Sequence, residues 1–533
     1  MFEFGRVVLK FCIAIVSYLW KIIEALYGLI IIGLFSNIDK KKKEERPTDE
    51  MKPKPYSSIP GPKAYPIIGS LHNYFGKNKK YDLNRLHRNG LSKYNEYGPI
   101  VKETFPFERD IVWLFNPEDI KNMYASEGKY PYRRSHLALE YYRLQNPEKY
   151  NNGGLLPTNG SAWGTLRQSA QKPLSKASTI SNMMPEIDRV TIDFVEMLSE
   201  GEHDIFNHKN FLDELKKYFL EVTGVFTLGV RLGAIKKKLS KNSVPYQLIE
   251  AAFCTNSNIL PTDNGLMLWK LFETEEYKKI RKSQEYIEAT IQKHYQKISS
   301  SDQCNEAGLL SQYLSSEKLH IKDSLALAAD MLLAGIDTSS YTTGFLLYEV
   351  GMNKQILDKL FNDINEIICT DDHIDHESKL DDYIKKFSYG KQVLKEALRL
   401  HPVSVGTSRM LENDDVFSGY KVPKGTLLVS QNQITSRLSD YFPFGDPNEF
   451  NPDRWNRDKD LKMNAIHPFL SLPFGFGKRM CIGRRMAEQS ILALMFRIFQ
   501  TFEVEWIGKD DLDCKSLLIN EPDGDLEFVF KRR

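Results

Sequence analysis

The stretch Phe474-Gly475-Phe476-Gly477-Lys478-Arg479-Met480-Cys481-Ile482-Gly483 constrains this chain more than any other. Cys481 sits behind a glycine-rich turn and opens an apolar helical run ending near Phe499. In that position its sulfur lies near the first free N–H groups of a helix. Those groups and the positive end of the helix favour a thiolate over a thiol. Gly475, Gly477 and Gly483 remove side chains where a flat ligand must approach the backbone. Arg479 supplies a fixed cation two residues away. A lone cysteine beside a turn is ordinarily a buried structural residue. Here Phe474, Gly475, Arg479, Cys481 and Gly483 stand at fixed spacing, which weighs against that reading. Gly475-x-Gly477 lacks the third glycine of a dinucleotide fingerprint, and no strand–turn–helix unit with a ribose-binding acid follows. The residues fit a sulfur ligand facing a bulky anionic cofactor, and thiolate-bound haem fits best.

The chain has 533 residues, enough for one large core or two domains. Its net charge of +2 gives no global field that would attract nucleic acid. Six cysteines are scattered without a C-x-x-C pair, which argues against a disulfide framework or a structural zinc site. Residues 1–38 read as a hydrophobic leader, broken by Lys21 and Glu24 and followed by Lys40 to Lys43. A membrane anchor at a membrane surface and an atypical import presequence both remain open for it. Residues 39–58 read as a charged, proline-bearing linker. Residues 59–533 read as one large domain, mainly α with a minor β region. Helical periodicity is clear over Leu325–Met352 and Glu186–Leu198. Strand signals cluster in Val416–Val429 and in Leu517–Val529, where Pro522-Asp523-Gly524 predicts a hairpin turn. Ser299–Asp302 and Asp371–Lys379 read as loops.

Ala334-Gly335-Ile336-Asp337-Thr338-Ser339 interrupts the first of these helices with a glycine and a mid-helix threonine. Both are costly there and permit a local widening for a small ligand or water. An acid next to a hydroxyl can relay protons into such a space. The bland reading is a glycine for close packing with Asp337 solvated. Glu396 and Arg399 share one face of a helix that ends at His401-Pro402. Such a pair on a surface would contribute little. Trp163 and Arg167, four apart, can present an indole N–H and a guanidinium to one carboxylate. Lys391, Lys395, Arg484 and Arg485 are ordinarily a solvated face. Nothing after Arg533 reads as a flavin domain, so an acidic donor protein docking on such a patch is expected.

From Ile59 onward these motifs resemble the cytochrome P450 family, the haem-thiolate monooxygenases. The resemblance implies haem b with Cys481 as iron ligand, and Phe474 and Gly483 beside the cofactor. It implies Trp163, Arg167, Arg409 and Arg479 at the haem propionates, with Arg409 at a position that varies in the family. Thr338 then corresponds to the hydroxyl beside the oxygen site and Asp337 to its proton source. Glu396, Arg399 and Arg454 correspond to a buried structural triad. Lys391 and Lys395 on one helix, with Arg484 and Arg485 after the cysteine loop, resemble the mitochondrial branch. That branch takes electrons from a ferredoxin of adrenodoxin type and its reductase.

The segments Tyr132-Arg133-Arg134-Ser135-His136-Leu137-Ala138-Leu139-Glu140 and Gly153-Gly154-Leu155-Leu156-Pro157-Thr158-Asn159-Gly160 read on their own as a helix, a flexible loop and another helix. They resemble the insect ecdysteroid 22-hydroxylase group of that family. This implies a sterol substrate, dioxygen as co-substrate, and a place on the matrix side of the mitochondrial inner membrane. The leader departs from the usual Arg-rich presequence, so the endoplasmic reticulum remains the alternative, with a flavoprotein reductase and xenobiotic or fatty-acid substrates. A non-catalytic haem carrier or a peroxide isomerase is disfavoured by Asp337-Thr338, which neither chemistry requires.

Overall fold

The structure, a computed structural model, describes residues 52–533 apart from 78, 107–108, 201–203, 301–307, 370–378, 443–444, 457–465 and 510. The leader, most of the linker and most of the loop expected over 371–379 lie outside the described residues. Among the described residues no helix is long and apolar enough to cross a membrane.

Helix dominates, at 53% of residues against 10% strand. The helices that position the site are α1 (Leu137–Leu144), α2 (Gly160–Ser175), α3 (Met184–Leu198), α4 (Phe211–Leu228), α5 (Val244–Asp263), α6 (Glu275–Ser300), α7 (Ile321–Gly351), α8 (Ser388–Leu400) and α9 (Arg484–Thr501). Helix α7 is the axis of the fold. Its 31 residues contain no proline, and His320 caps it by accepting the Lys322 N–H at 3.2 Å. It is buried nearly all round, as a central helix should be, and α4 lies against it along its length. One core gathers α3, α4, α8, α9 and the second half of α7, with Phe345, Phe496 and Phe499 essentially sealed from solvent. Each such side chain contributes about 1.5–3 kcal/mol by burial. A second core packs α1, α5 and α6 on the first half of α7.

The strands form small sheets around this body. β1 (Ile100–Glu103), β2 (Ile111–Leu114), β4 (Thr407–Met410) and β7 (Leu427–Ser430) make a sheet in the order β1-β2-β7-β4, with β2 and β7 parallel. In chain order the others are β3 (Ile205–His208), β5 (Asp415–Phe417), β6 (Tyr420–Val422), β8 (Phe502–Trp506), β9 (Cys514–Ser516), β10 (Asn520–Pro522) and β11 (Phe528–Arg532). They pair as β5-β6, β9-β10 and β3-β11-β8.

Two local expectations are corrected. The C-terminal hairpin is β9-β10 and turns at Leu517–Ile519, not at Pro522-Asp523-Gly524. Pro522 belongs to β10, an edge position in a two-stranded sheet, where a missing N–H is tolerated. The chain then leaves for β11 in a different sheet. Helix α6 runs through Ser300, so Ser299 and Ser300 are helical, and the rest of the expected Ser299–Asp302 loop lies outside the described residues.

Candidate active site around Cys481

The cysteine loop is shaped by backbone bonds. Gly475 and Gly477 take φ of 68° and 74°, which a side chain would strain. The Cys481 N–H donates to the Phe474 carbonyl at 2.9 Å, and Gly475 N–H to Leu472 at 2.9 Å. Phe474 is half-buried, with the Arg484 guanidinium 5.6 Å from its ring centre. Helix α9 begins at Arg484, three residues after the cysteine, with Gly483 as its N-cap. A Cβ on Gly483 would meet nothing within 4 Å, so this side of the loop borders open space.

Cys481 has exposed surface, yet protein surrounds it on every side at longer range. Both observations describe a side chain bordering an internal cleft. Burial pushes its thiol up, and the Gly483 N–H, Arg167 and Arg484 oppose that shift without overcoming it. Desolvation thus opposes the thiolate that the helix end favours. A bound metal ion would deprotonate the sulfur outright.

Helix α7 lines the cleft. Ile336, Asp337 and Ser339 are buried, whereas Ala334 is exposed and Gly335 and Thr338 are half-buried. Met331, one turn earlier, packs in one cluster with Trp163 and Leu166 of α2 and with Ile482 and Met486 beside the cysteine. Helix α7 runs unbroken through this segment. Gly335 serves close packing, since a Cβ there would stand 2.7 Å from the Thr223 hydroxyl of α4. The widening expected at Gly335 is thus replaced by helix contact. Thr338 Oγ1 donates to the Ala334 carbonyl at 2.7 Å. Asp337 is not solvated. Its Oδ2 accepts from Asn256 of α5 at 2.8 Å, and its Oδ1 is buried without a partner. Burial pushes its pKa up, against the opposing pull of Lys216 and the Asn256 hydrogen bond.

Four arginines face the same region. The Arg479 guanidinium lies 4.1 Å from the Trp163 ring centre and donates to the carbonyls of Pro131 and Thr158 at 2.6 and 2.7 Å. Arg167 donates its Nε to Gln171 within α2 at 3.0 Å. Arg409 is buried and paired with Glu127 at 2.7 Å. Arg133 belongs to the segment expected as helix but lies before α1, and its buried Nε has no hydrogen-bond partner. Burial and the mutual repulsion of Arg133, Arg409, Arg167 and Arg479 lower Arg479 to about 9. Arg133 falls to about 10 through burial and then Arg409. This crowd of cations demands an anion. With one sulfur, an open space beside it and guanidinium groups around it, the donor set fits haem b and its carboxylates.

The walls are pinned by contacts that no local pattern announced. Arg143 and Asp330 form a fully buried pair at 2.7 Å between α1 and α7. Asp330 also accepts the Leu155 N–H at 2.6 Å, and Arg143 donates to the Gly153 carbonyl at 2.9 Å. The Gly153–Pro157 loop is therefore anchored to α7 rather than free. Asp263, at the end of α5, caps α1 by accepting the His136 and Leu137 N–H groups at 2.6 and 2.7 Å. Burial raises Asp263 from 3.8 to about 6, against the opposing pull of those bonds and of Arg134 and Arg133. A raised folded pKa contributes stability that is complete below the unfolded value and lost as pH rises through the folded one. The interval from 3.8 to about 6 corresponds to ~3 kcal/mol. Between about pH 4 and pH 7 the wild type should lose roughly that much relative to Asp263→Asn, read from urea midpoints. Parallel pH profiles for the two proteins would refute it.

The structural triad is assembled. Glu396 accepts from Arg399 Nη2 at 2.7 Å, Arg454 Nε at 2.8 Å and Trp455 Nε1 at 2.8 Å. Lys395 is exposed, with its ammonium 3.8 Å from the Trp455 ring centre. Lys391 is exposed and donates to the Lys385 carbonyl at 2.7 Å. Arg484 bonds Glu488 at 3.0 Å and Arg485 donates to the Ser175 carbonyl at 2.7 Å, both exposed. Helices α8 and α9, which carry these four cations, pack against one another.

Comparison with known proteins agrees with this geometry. The Cytochrome P450 family model matches residues 59–528. "Cytochrome P450 302a1, mitochondrial" of Drosophila melanogaster is 40% identical, over 88% of this chain and 94% of that protein. "Probable cytochrome P450 301a1, mitochondrial" of the same fly is 28% identical over 90% and 87%. Its "Ecdysone 20-monooxygenase" is 27% identical over 86% and 86%. A family match across almost the entire described body, around a cysteine loop and an arginine ring shaped for haem, makes this chain a member of the cytochrome P450 family, whose cofactor is haem b held by a thiolate.

Proposed function

We propose that this chain is a mitochondrial sterol hydroxylase that places a hydroxyl at carbon 22 of an ecdysteroid precursor. Monooxygenase chemistry follows from the family; the substrate, carbon and compartment are the proposal. The observation that carries the substrate class is a relative named for ecdysone oxidation and alignable over most of both chains. The matrix face of the inner membrane is part of the proposal, and relatives named as mitochondrial support the compartment. They also support electron supply by a ferredoxin of adrenodoxin type with its reductase. Lys391, Lys395, Arg484 and Arg485, all exposed, offer such an acidic donor a basic surface.

Haem b, when bound, supplies dioxygen activation, with one oxygen atom going into a C–H bond and the other leaving as water. Cys481 would hold the iron through its sulfur as an electron-donating ligand. Arg133, Arg167 and Arg479 would hold the carboxylates, with the Trp163 ring stacked against Arg479. Thr338 presents its hydroxyl at the cleft. Asp337, whose pKa burial pushes up, is next to it in the helix as proton source. The apolar surface of Met331 and Ala334 excludes water beside the reacting carbon.

Thr338→Ala should lower product per electron by about tenfold and release peroxide in its place. Unchanged coupling would remove Thr338 from the proton route. The test of the whole reading is incubation with candidate ecdysteroid precursors, ferredoxin and its reductase, followed by the mass and position of the product. Turnover with a flavoprotein reductase alone would remove the mitochondrial assignment. Products hydroxylated elsewhere would remove carbon 22.

A further inference from the structure

Glu127 belongs to no motif, yet it holds together the parts of the site that matter most. Its side chain is almost wholly buried, with 6% exposed. One carboxylate oxygen accepts from Arg409 Nε at 2.7 Å. The other accepts from the Lys478 N–H at 3.0 Å, three residues before Cys481. It presses so closely on Gly477 that any Cβ there would collide with it. The flanking chain repeats the attachment. Lys478 Nζ donates to the Gly128 carbonyl at 2.8 Å, and Arg479 Nε to the Pro131 carbonyl at 2.6 Å. The remaining nitrogens of Arg409 donate to the Ser408 and Phe476 carbonyls at 2.9 and 3.3 Å. Arg409 is thus fully engaged by protein, and its charge is neutralised in place.

We propose that Glu127 is a positioning residue that sets the reduction equilibrium of the bound haem, by cancelling Arg409 and by clamping the loop that presents Cys481. The proposal rests on the reading of Cys481 as the iron ligand. Reduction adds one electron at the iron, so any buried negative charge nearby disfavours it and any positive charge favours it. Glu127 is the acid hydrogen-bonded directly into the arginine ring and the cysteine loop together. Its removal leaves Arg409 as an uncompensated cation in a poorly screened place, at a site already rich in positive charge.

The test is a spectroscopic redox titration of the haem-loaded, substrate-free protein. Glu127→Gln should shift the equilibrium toward the reduced form by about tenfold, ~59 mV for one electron. Glu127→Asp retains the charge and should stay within about twofold of wild type. Arg409→Gln leaves the carboxylate unopposed and should shift the equilibrium about tenfold the other way. The double variant should return close to wild type, because the two charge changes cancel. Glu127→Gln within twofold of wild type, or a double variant that fails to return, overturns the proposal. If Glu127→Gln does not fold, Arg409→Gln and the double variant decide it: movement in the predicted directions supports it, no movement overturns it. A wild-type protein lacking the thiolate signature with carbon monoxide would overturn the cysteine reading itself, a failure visible before any potential is measured.

Discussion

Cys481→Ser should abolish the red-shifted Soret absorption of the reduced, carbon-monoxide-treated protein and lower turnover by at least about a thousandfold, ~4 kcal/mol of barrier. A hydroxyl of ordinary acidity neither stays deprotonated at the iron nor donates electron density as sulfur does. The fold should survive the change. The loop is shaped by the backbone bond from Cys481 to Phe474 and by the positive φ of Gly475 and Gly477, none of which involves the thiol. The side chain itself borders a cleft and packs no core. Far-ultraviolet dichroism of the variant should therefore match the wild type. The result that sinks the assignment is a serine variant retaining the red-shifted band.

Legibility followed distance along the chain. The cysteine loop, the Asp337-Thr338 pair and the Glu396-Arg399 pair are local patterns on a loop or a helix, and sequence spacing located them. Helices α3 and α7 were readable because their apolar faces repeat regularly. Glu127 reaches Arg409 across 282 residues, and Asp330 reaches Leu155 across 175. No local period marks either end of such a contact. Arg133 lay in a stretch that was singled out, but only burial reveals that its Nε lacks a partner. Asp337 was located while its surroundings were not, since Asn256 comes from a helix 81 residues away. The Pro522-Asp523-Gly524 turn is a local signal, and strand pairing outweighs it there.

The second large effect falls on folding rather than chemistry. Glu396→Ala should destabilise the protein by ~3–5 kcal/mol, since it strips a buried cation of its counter-charge. Glu396 and Arg399 are fully sealed from solvent, and the Arg454 side chain is 6% exposed. The carboxylate satisfies two nitrogens of Arg399, Arg454 Nε, the Trp455 indole and the Asn451 N–H. Arg399 in turn donates to the carbonyls of Ser436 and Pro447 at 3.0 and 2.6 Å, so it cannot swing out to water without breaking them. Removing Glu396 therefore leaves Arg399 buried, charged and unopposed. Glu396→Gln keeps the shape and one acceptor oxygen but loses the charge, and should fall between alanine and wild type. Arg454→Ala leaves Glu396 still paired with Arg399 and should cost less than Glu396→Ala. Urea unfolding followed by tryptophan fluorescence measures all three. Because Trp455 donates its indole to the same carboxylate, its emission should shift in the native baseline of Glu396→Ala as well. A Glu396→Ala midpoint within ~1 kcal/mol of wild type would mean that the triad is a bystander, and that the segment from Asn451 to Trp455 is held on α8 by packing alone.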